Sequence, residues 1–200
     1  MTSIGFCGAS VTEGVGVQPH EAYPALLTGN NYGIRGSNNA MIFHQAVQAL
    51  LENKHVVVEW ASAGRNKFFP TPGDRVFTKG MRDVEGIPNR EARAFSNVYQ
   101  MLDTEYNQIV YTSTYIKTLN DLAHATDNNI HFMMGRMRVD LSIEENKQFM
   151  FIDKGNWITT DRSSTIDLGD DGDHPGPKSH RLYADIVLQY MKERGIDINE

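Results

Sequence analysis

The sequence predicts an α/β fold in which helices cover both faces of a parallel sheet. Three short apolar runs have the length and composition of buried strands: Ser3 to Gly8, His55 to Trp60 and Ile130 to Met134. Segments with helical periodicity separate and follow these runs, and strands that alternate with helices pair in parallel. The 200 residues suit one domain over 1–200, because no internal repeat or linker divides them.

The segments between the strands have helical patterns of different lengths. A short helix is predicted for Ala22 to Leu27 and a longer one for Met41 to Leu51. Phe95 to Asp127 is the longest helical stretch, since its apolar residues fall near one stripe, and it is predicted as one helix or two. A terminal amphipathic helix is predicted for Leu182 to Met191, with Gly195 as its stop signal.

Two polar stretches are predicted to lie outside the regular elements. Asn30 to Asn39 is rich in Gly and Asn, which tolerate positive φ and favour tight turns. Residues of about 67–94 are polar, are interrupted by Pro and Gly and show no period. They predict a surface insertion that could carry a substrate loop. Further along, Phe149 to Ile152 is a candidate short strand.

The composition argues against some classes of partner. A formal net charge of -6 and a pI of about 5.6 disfavour nucleic-acid binding, which usually needs a basic surface. No apolar run approaches the roughly 20 residues of a membrane span, and Met1 to Gly5 lacks the features of a signal peptide. We therefore expect a soluble protein, either cytoplasmic or associated with a virus particle. Its single cysteine, Cys7, is expected to be a buried core thiol.

The histidines are scattered along the chain. None of them has the spacing of a metal-ligand pair, so no metal ion is expected. His180 follows His174 by six residues and is predicted to lie on the terminal helix with a surface role.

A serine follows the first predicted strand, in Gly8 to Gly14 (GASVTEG). In open α/β sheets, ligands bind beyond the carboxyl ends of the strands, so Ser10 would lie where a reaction can occur. Gly8 allows a sharp turn, and the Ser10 amide could point at an oxyanion. Taken alone, a polar strand exit with a capping serine is the favoured interpretation.

A second candidate segment, Asp171 to Gly176 (DGDHPG), lies just before the terminal helix. A serine nucleophile needs a general base such as imidazole, and the imidazole needs an acceptor that fixes its tautomer. Asp171, three residues before His174 in a predicted turn, could reach the ring from behind. A solvated acidic loop is the plainer alternative. A calcium loop from Asp167 is another, although Lys178 stands at its twelfth position instead of Glu.

A third segment, Asn31 to Ser37 (NYGIRGS), places glycine amides near a strand end, where they could donate to an oxyanion. In isolation, a simple turn is at least as good an interpretation.

Together, however, the three segments resemble those of the SGNH, or GDSL-like, hydrolases. Gly8-Ala9-Ser10 resembles their Gly-Asp-Ser motif, NYGIRGS their second block, and Asp171 with His174-Pro175 their last block. The resemblance covers landmarks from residue 4 to about 187, and the middle is unaligned.

The resemblance implies a three-layer α/β/α sandwich with a flavodoxin-like parallel sheet of about five strands. It implies that Ser10 is the nucleophile, that His174 is its base and that Asp171 orients the base. The amides of Ser10 and Gly36 would form the oxyanion hole. The implied activity is hydrolysis of carboxylic esters through an acyl-enzyme, without a metal or cofactor. Deacetylation of carbohydrate is the narrower expectation, because the family often does this and no apolar lipid-binding lid is visible.

Two positions depart from the family pattern. Ala9 replaces the usual Asp before the serine, and Ala63 stands where the third block has an Asn that donates to the oxyanion. Ser62, Arg65 and Asn66 are the candidates for a substitute donor. Loss of one such donor costs about 10²–10³-fold in turnover, so the site is either rebuilt or weakened.

These departures motivate a second hypothesis, of a different class. The chain would be a non-catalytic binding or structural module of a larger assembly, such as a virus particle. The intact set of Ser10, Asp171 and His174 argues against it. A hydrolase with a Gly-x-Ser-x-Gly elbow is also disfavoured, because Thr12 occupies the place of the second Gly.

Overall fold

The computed structural model describes residues 3–61, 105–133, 157–158 and 165–198. Five strands in these ranges form one parallel sheet with the order β2-β1-β3-β4-β5. The strands are β1 (Ile4–Cys7), β2 (Asn30–Asn31), β3 (His55–Glu59), β4 (Asn129–Met133) and β5 (Trp157–Ile158).

The helices of the described ranges differ widely in length. They are α1 (Ser10–Glu13), α2 (Tyr23–Leu26), α3 (Asn39–Glu52), α4 (Glu105–Ala125) and α5 (Pro177–Glu193), with a 3-10 turn at Pro19–Glu21. Asn38 caps α3, because its side chain accepts a hydrogen bond from the Met41 amide at 2.9 Å. This cap explains why α3 begins two residues before the predicted start.

The helices form two layers, one on each face of the sheet. Val56 and Val58 of β3 pack with α3 and α4, whereas Val57 packs on the opposite face with α2 and α5. Successive side chains of a strand point to opposite faces, and both faces of this sheet are covered. All five residues of β3 are therefore buried, which explains its nearly continuous apolar run. The predicted three-layer α/β/α sandwich is confirmed.

The strand order determines where a ligand can bind. The chain passes from β1 outward to β2, and then returns to form β3 on the other side of β1. Open α/β sheets bind ligands at such a reversal, in the crevice beyond the carboxyl ends of the strands. Ser10 follows β1 closely and therefore lies at this crevice.

Most predicted elements are present, with shifted ends. The three predicted strands correspond to β1, β3 and β4, and the short helix corresponds to α2. The two-residue strands β2 and β5 are not predicted, because two residues carry no periodicity. The insertion at about 67–94, the candidate strand at 149–152 and the first part of the stretch 95–127 lie outside the described residues.

The prediction of a surface role for His180 is wrong. Its side chain is fully buried, and its Nδ1 accepts a hydrogen bond from the Tyr23 amide at 3.2 Å. The reason is that the buried stripe of α5, which begins at Pro177, extends one turn back from Tyr183 to His180. Burial lowers the pKa of His180 to about 4, so the ring is neutral and joins α5 to α2.

Two further histidines form a buried polar chain in the core. His55 Nδ1 lies 3.3 Å from His131 Nε2, and His131 Nδ1 lies 3.1 Å from the Tyr190 hydroxyl. Burial, together with the neighbouring His55 and Arg194, lowers the pKa of His131 to about 3. Burial also lowers the pKa of His55. Both rings are therefore neutral at pH 7 and support the core.

We predict that His131 makes the stability of the fold sensitive to acid. At pH values between the pKa of His131 in the unfolded chain, 6.5, and its pKa in the folded chain, about 3, the unfolded chain binds a proton that the folded chain does not. The free energy of unfolding therefore falls as the pH is lowered through this window, by up to about 1.4 kcal/mol per pH unit. Urea denaturation across pH 3–7 should show a shallower fall for His131→Gln.

His20→Gln is the control, because His20 is exposed. It should keep the pH dependence of the unmodified protein. If the free energy of unfolding has the same slope against pH in His131→Gln and in the unmodified protein, His131 does not set this dependence.

Candidate active site

The turn that follows β1 carries Ser10. A β-carbon at Gly8 would lie 2.0 Å from Thr12 Oγ1, so only glycine allows α1 to pack this closely against the strand end. Ser10 is the first residue of α1 and is 8% exposed. Within the described ranges, neither its hydroxyl nor its backbone amide has a hydrogen-bond acceptor.

A buried carboxylate anchors α1 to the centre of the sheet. The Thr12 hydroxyl donates to Glu59 Oε2 at 2.6 Å, and the Tyr23 hydroxyl donates to the same oxygen at 3.4 Å. All three residues are buried. Burial, followed by the charge of Glu59, raises the pKa of Tyr23, which keeps its hydroxyl protonated as a donor. Thr12 and Glu59 thereby hold the short helix that begins with Ser10.

The turn from Asp167 to Gly176 brings Asp171 and His174 together. Asp171 Oδ2 lies 2.6 Å from His174 Nδ1. The other oxygen, Oδ1, accepts hydrogen bonds from the amides of Asp173 and His174, each at 3.0 Å. One carboxylate therefore fixes both the turn and the ring.

These contacts define the protonation of the pair. The backbone amides of His174 and Asp173, and then the His174 ring, lower the pKa of Asp171 to about 2. Asp171 is thus a carboxylate at neutral pH and can only accept a hydrogen bond, so the neutral ring carries its proton on Nδ1. The lone pair is left on Nε2, and the side chain of His174 is 20% exposed. This is the tautomer that a general base requires.

The His174 turn packs against the loop that follows Ser10. The Gly16 carbonyl accepts a hydrogen bond from the Asp170 amide at 2.9 Å. A β-carbon at Gly16 would lie 3.1 Å from Asp171 Oδ1 and 3.2 Å from His174 Cβ. The structure therefore brings the last predicted site segment into contact with Gly16, two residues after the end of the first segment.

The Ser10 hydroxyl makes no direct hydrogen bond to the His174 ring, and both residues lie in the described ranges. In ligand-free enzymes such contacts are often long, and they tighten when the substrate binds.

The loop after β2 carries Gly36. Gly36 has a φ of +71° in a turn that is closed by a 3.1 Å hydrogen bond from the Ser37 amide to the Ile34 carbonyl. Its own amide has no acceptor among the described residues. The loop is joined to α1, because Arg35 Nε lies 3.3 Å from Glu13 Oε1 and the Arg35 amide donates to the same carboxylate. This arrangement leaves the Gly36 amide able to donate to a ligand.

The candidates for a third oxyanion donor, at positions 62, 65 and 66, lie outside the described residues, as does Ala63. The structure does show how the chain leaves β3. Asn39 Oδ1 accepts a hydrogen bond from the Ala61 amide at 3.0 Å, and Asn39 Nδ2 donates to Thr112 Oγ1 at 3.1 Å. Asn39 thus fixes the start of the segment that contains these candidates.

Asp167, the first residue of the alternative calcium loop, has a structural role. Its carboxylate accepts hydrogen bonds from the amides of Lys178 and Ser179 and from the Ser179 hydroxyl, all at the start of α5. No cluster of three or more His, Cys, Asp or Glu side chains that could hold a metal ion is present in the described ranges. Cys7 is fully buried, as predicted, and burial raises the pKa of its thiol.

Comparison with known proteins gives matches at the level of structure only. The sequence matches no protein-family model and no curated protein. The fold is similar to the psychrotrophic esterase EstA from Pseudoalteromonas sp., with 14% identity and a TM-score of 0.57 over 97% of this chain and 98% of that one.

Two other solved structures are similar at 12% identity. A GDSL-like lipase from Bacteroides thetaiotaomicron has a TM-score of 0.53 over 96% of this chain and 89% of that one. Axe2, an acetylxylan esterase from Geobacillus stearothermophilus, has a TM-score of 0.50 over 100% and 96%. At these identities the similarity establishes the fold, which is the fold that the motif resemblance implies. In the described ranges, no helix is long and apolar enough to cross a membrane.

We predict that the Thr12–Glu59 hydrogen bond supports the fold. Thr12→Val keeps the shape of the side chain but removes the hydroxyl that donates to the buried Glu59 carboxylate at 2.6 Å, so the free energy of unfolding should fall by about 1–3 kcal/mol. Thr114→Val is the control, because Thr114 is exposed on α4 and its hydroxyl donates to the Val110 carbonyl of the same helix. It should change the stability by less than about 0.5 kcal/mol. Equal losses in urea denaturation would contradict the anchoring role.

Proposed function

We propose that the chain is a serine esterase in which Ser10 is the nucleophile, His174 the general base and Asp171 the residue that orients the base. The observation that carries this proposal is the Asp171–His174 pair, with its 2.6 Å contact and a base-competent Nε2. The turn that holds the pair packs on the Gly16 loop, just after α1. The similarity of the fold to solved esterases supports the same function.

The chemistry follows from these groups. Ser10 Oγ attacks the ester carbonyl while His174 Nε2 removes its proton. Asp171 holds the ring and stabilises the imidazolium that forms. The imidazolium then protonates the departing alcohol and leaves an acyl group on Ser10. A water molecule, deprotonated by the same nitrogen, attacks this ester, and collapse of the second tetrahedral intermediate returns the Ser10 hydroxyl and releases the acid.

The developing negative charge needs donors that are already in place. We assign this role to the backbone amides of Ser10 and Gly36, neither of which has an acceptor in the described part of the chain. Such fixed donors stabilise the tetrahedral intermediate without reorganising during the reaction. Ser62, Arg65 and Asn66 remain the candidates for the third donor.

For the substrate, we propose an O-acetyl group on a carbohydrate. The support is the acetylxylan esterase among the structures with a similar fold. The test is release of acetate from acetylated xylan by the native protein and by Ser10→Ala. Acetate release that depends on Ser10 is the expected result. Hydrolysis of small aryl esters without acetate release from the polymer would leave the esterase assignment in place and refute the carbohydrate substrate.

We predict that Ser10 and His174 act as a unit. Ser10→Ala and His174→Ala should each lower kcat for p-nitrophenyl acetate by at least about 10³-fold, and the double variant should lose no more than the worse single one. The reason is that the base has nothing to activate once the nucleophile is gone. His44→Ala, which changes an exposed histidine on α3, should keep native turnover.

Two outcomes would contradict this prediction. Multiplicative losses in the double variant would show that the residues act separately. A folded native protein without turnover would instead favour the non-catalytic module.

We predict that Gly16 is required for turnover, whereas Gly172 is not. Both have positive φ, +89° and +70°, so Ala at either position brings backbone strain of about 1–2 kcal/mol. Only at Gly16 does the added methyl group press on Asp171 and His174, since nothing lies within 4 Å of a β-carbon at Gly172. Gly16→Ala should therefore lower kcat for p-nitrophenyl acetate by about 10²-fold, and Gly172→Ala should leave it nearly unchanged. Equal kcat values in the two variants would exclude this contact as a catalytic constraint.

A further inference from the structure

Helix α3 buries two polar side chains, one at its start and one among apolar residues. Its inward stripe consists of Ile42, Gln45, Ala46, Ala49 and Leu50, together with Asn39 at its start. Gln45 is only 9% exposed. A buried amide that lacks partners is costly, so the position of Gln45 indicates that its hydrogen bonds are specific.

Both ends of the Gln45 amide are used. Its Oε1 accepts a hydrogen bond from the Gly8 amide at 2.9 Å. Its Nε2 donates to Ser37 Oγ at 3.0 Å, and that hydroxyl donates to the Ile34 carbonyl at 2.7 Å. The Ile34 amide in turn donates to the Gly8 carbonyl at 3.2 Å. These bonds form a closed ring that joins the end of β1 to the loop after β2.

The ring includes backbone next to both proposed oxyanion donors. Gly8 lies two residues before Ser10, and Gly36 lies between Ile34 and Ser37. A change in the length of this link moves one amide relative to the other. We propose that Gln45 is a positioning residue that sets the separation of the Ser10 and Gly36 amides. This inference rests on the proposed esterase function.

The chemistry of the amide explains why glutamine suits this position. It must accept from an N–H group at one end and donate to a hydroxyl oxygen at the other. A carboxylate can only accept, so Glu would take the Ser37 proton away from the Ile34 carbonyl. Met fills a similar volume and makes neither bond. Gln45→Met therefore removes the link with little change in packing.

The first test is kinetic. Gln45→Met should lower kcat for p-nitrophenyl acetate by about 10²-fold, the usual cost of misplacing a catalytic group by 1 Å, with KM unchanged. Ser37→Ala breaks the same link from the other side, so the double variant should lose no more than Gln45→Met alone. Gln48→Met is the matched control, because Gln48 lies on the exposed face of the same helix, and it should keep native kinetics. Native kcat in a folded Gln45→Met variant would overturn the inference.

The second test does not depend on activity. Amide hydrogen exchange measured by NMR should be about tenfold faster at Gly8 and Ile34 in Gln45→Met than in Gln48→Met, because each loses the support of the ring. Unchanged exchange at both amides would refute the positioning role even in an active esterase. A third outcome is faster exchange in Gln45→Met together with a native protein that hydrolyses no ester. It would show that Gln45 holds the loops and that the proposed function is wrong.

Discussion

The candidate site depends on one contact between distant parts of the chain, where the loop after α1 meets the turn before α5. The Gly16 carbonyl accepts a hydrogen bond from the Asp170 amide, and the side of Gly16 faces Asp171 and His174. A β-carbon at Gly169 would lie only 2.3 Å from the Gly16 carbonyl oxygen, so the two backbones pack at a distance that only glycine allows. Without this contact, the turn that carries the proposed base would not be held against the loop that follows α1.

Buried polar groups hold the rest of the site to the sheet. Glu59 anchors α1 through Thr12 and Tyr23, Gln45 joins β1 to the Gly36 loop, and Asn39 fixes the chain where it leaves β3. Each of these contacts fixes a loop that carries or borders a proposed catalytic group. A buried hydrogen bond fixes the orientation of the groups that it joins, whereas apolar packing fixes mainly their distance. Catalytic groups need defined orientations. The polar groups at the carboxyl ends of β1 and β3 therefore fix the loops that border the candidate site.

The sequence predicts the framework and the Asp171–His174 contact better than it predicts the buried polar groups that support the loops. The strand β3 is predictable because burial on both faces requires a continuous apolar run. Asp171 and His174 are predictable because their spacing suits one turn. Gln45 is harder to find, since hydrophobic periodicity identifies the stripe but does not give a partner 37 residues away. The error at His180 arises at a helix end, which periodicity defines poorly. The predicted helix starts at Leu182, so its apolar stripe does not include His180.

The central claim is that Ser10 is an activated nucleophile, and reaction with a fluorescent fluorophosphonate tests it most directly. The native protein should gain one covalent adduct, located on Ser10 by peptide mass spectrometry. Ser10→Ala should gain none, and His174→Ala should react far more slowly, because its serine has no base. A folded native protein that gains no adduct, or an adduct on another residue that persists in Ser10→Ala, would contradict the assignment.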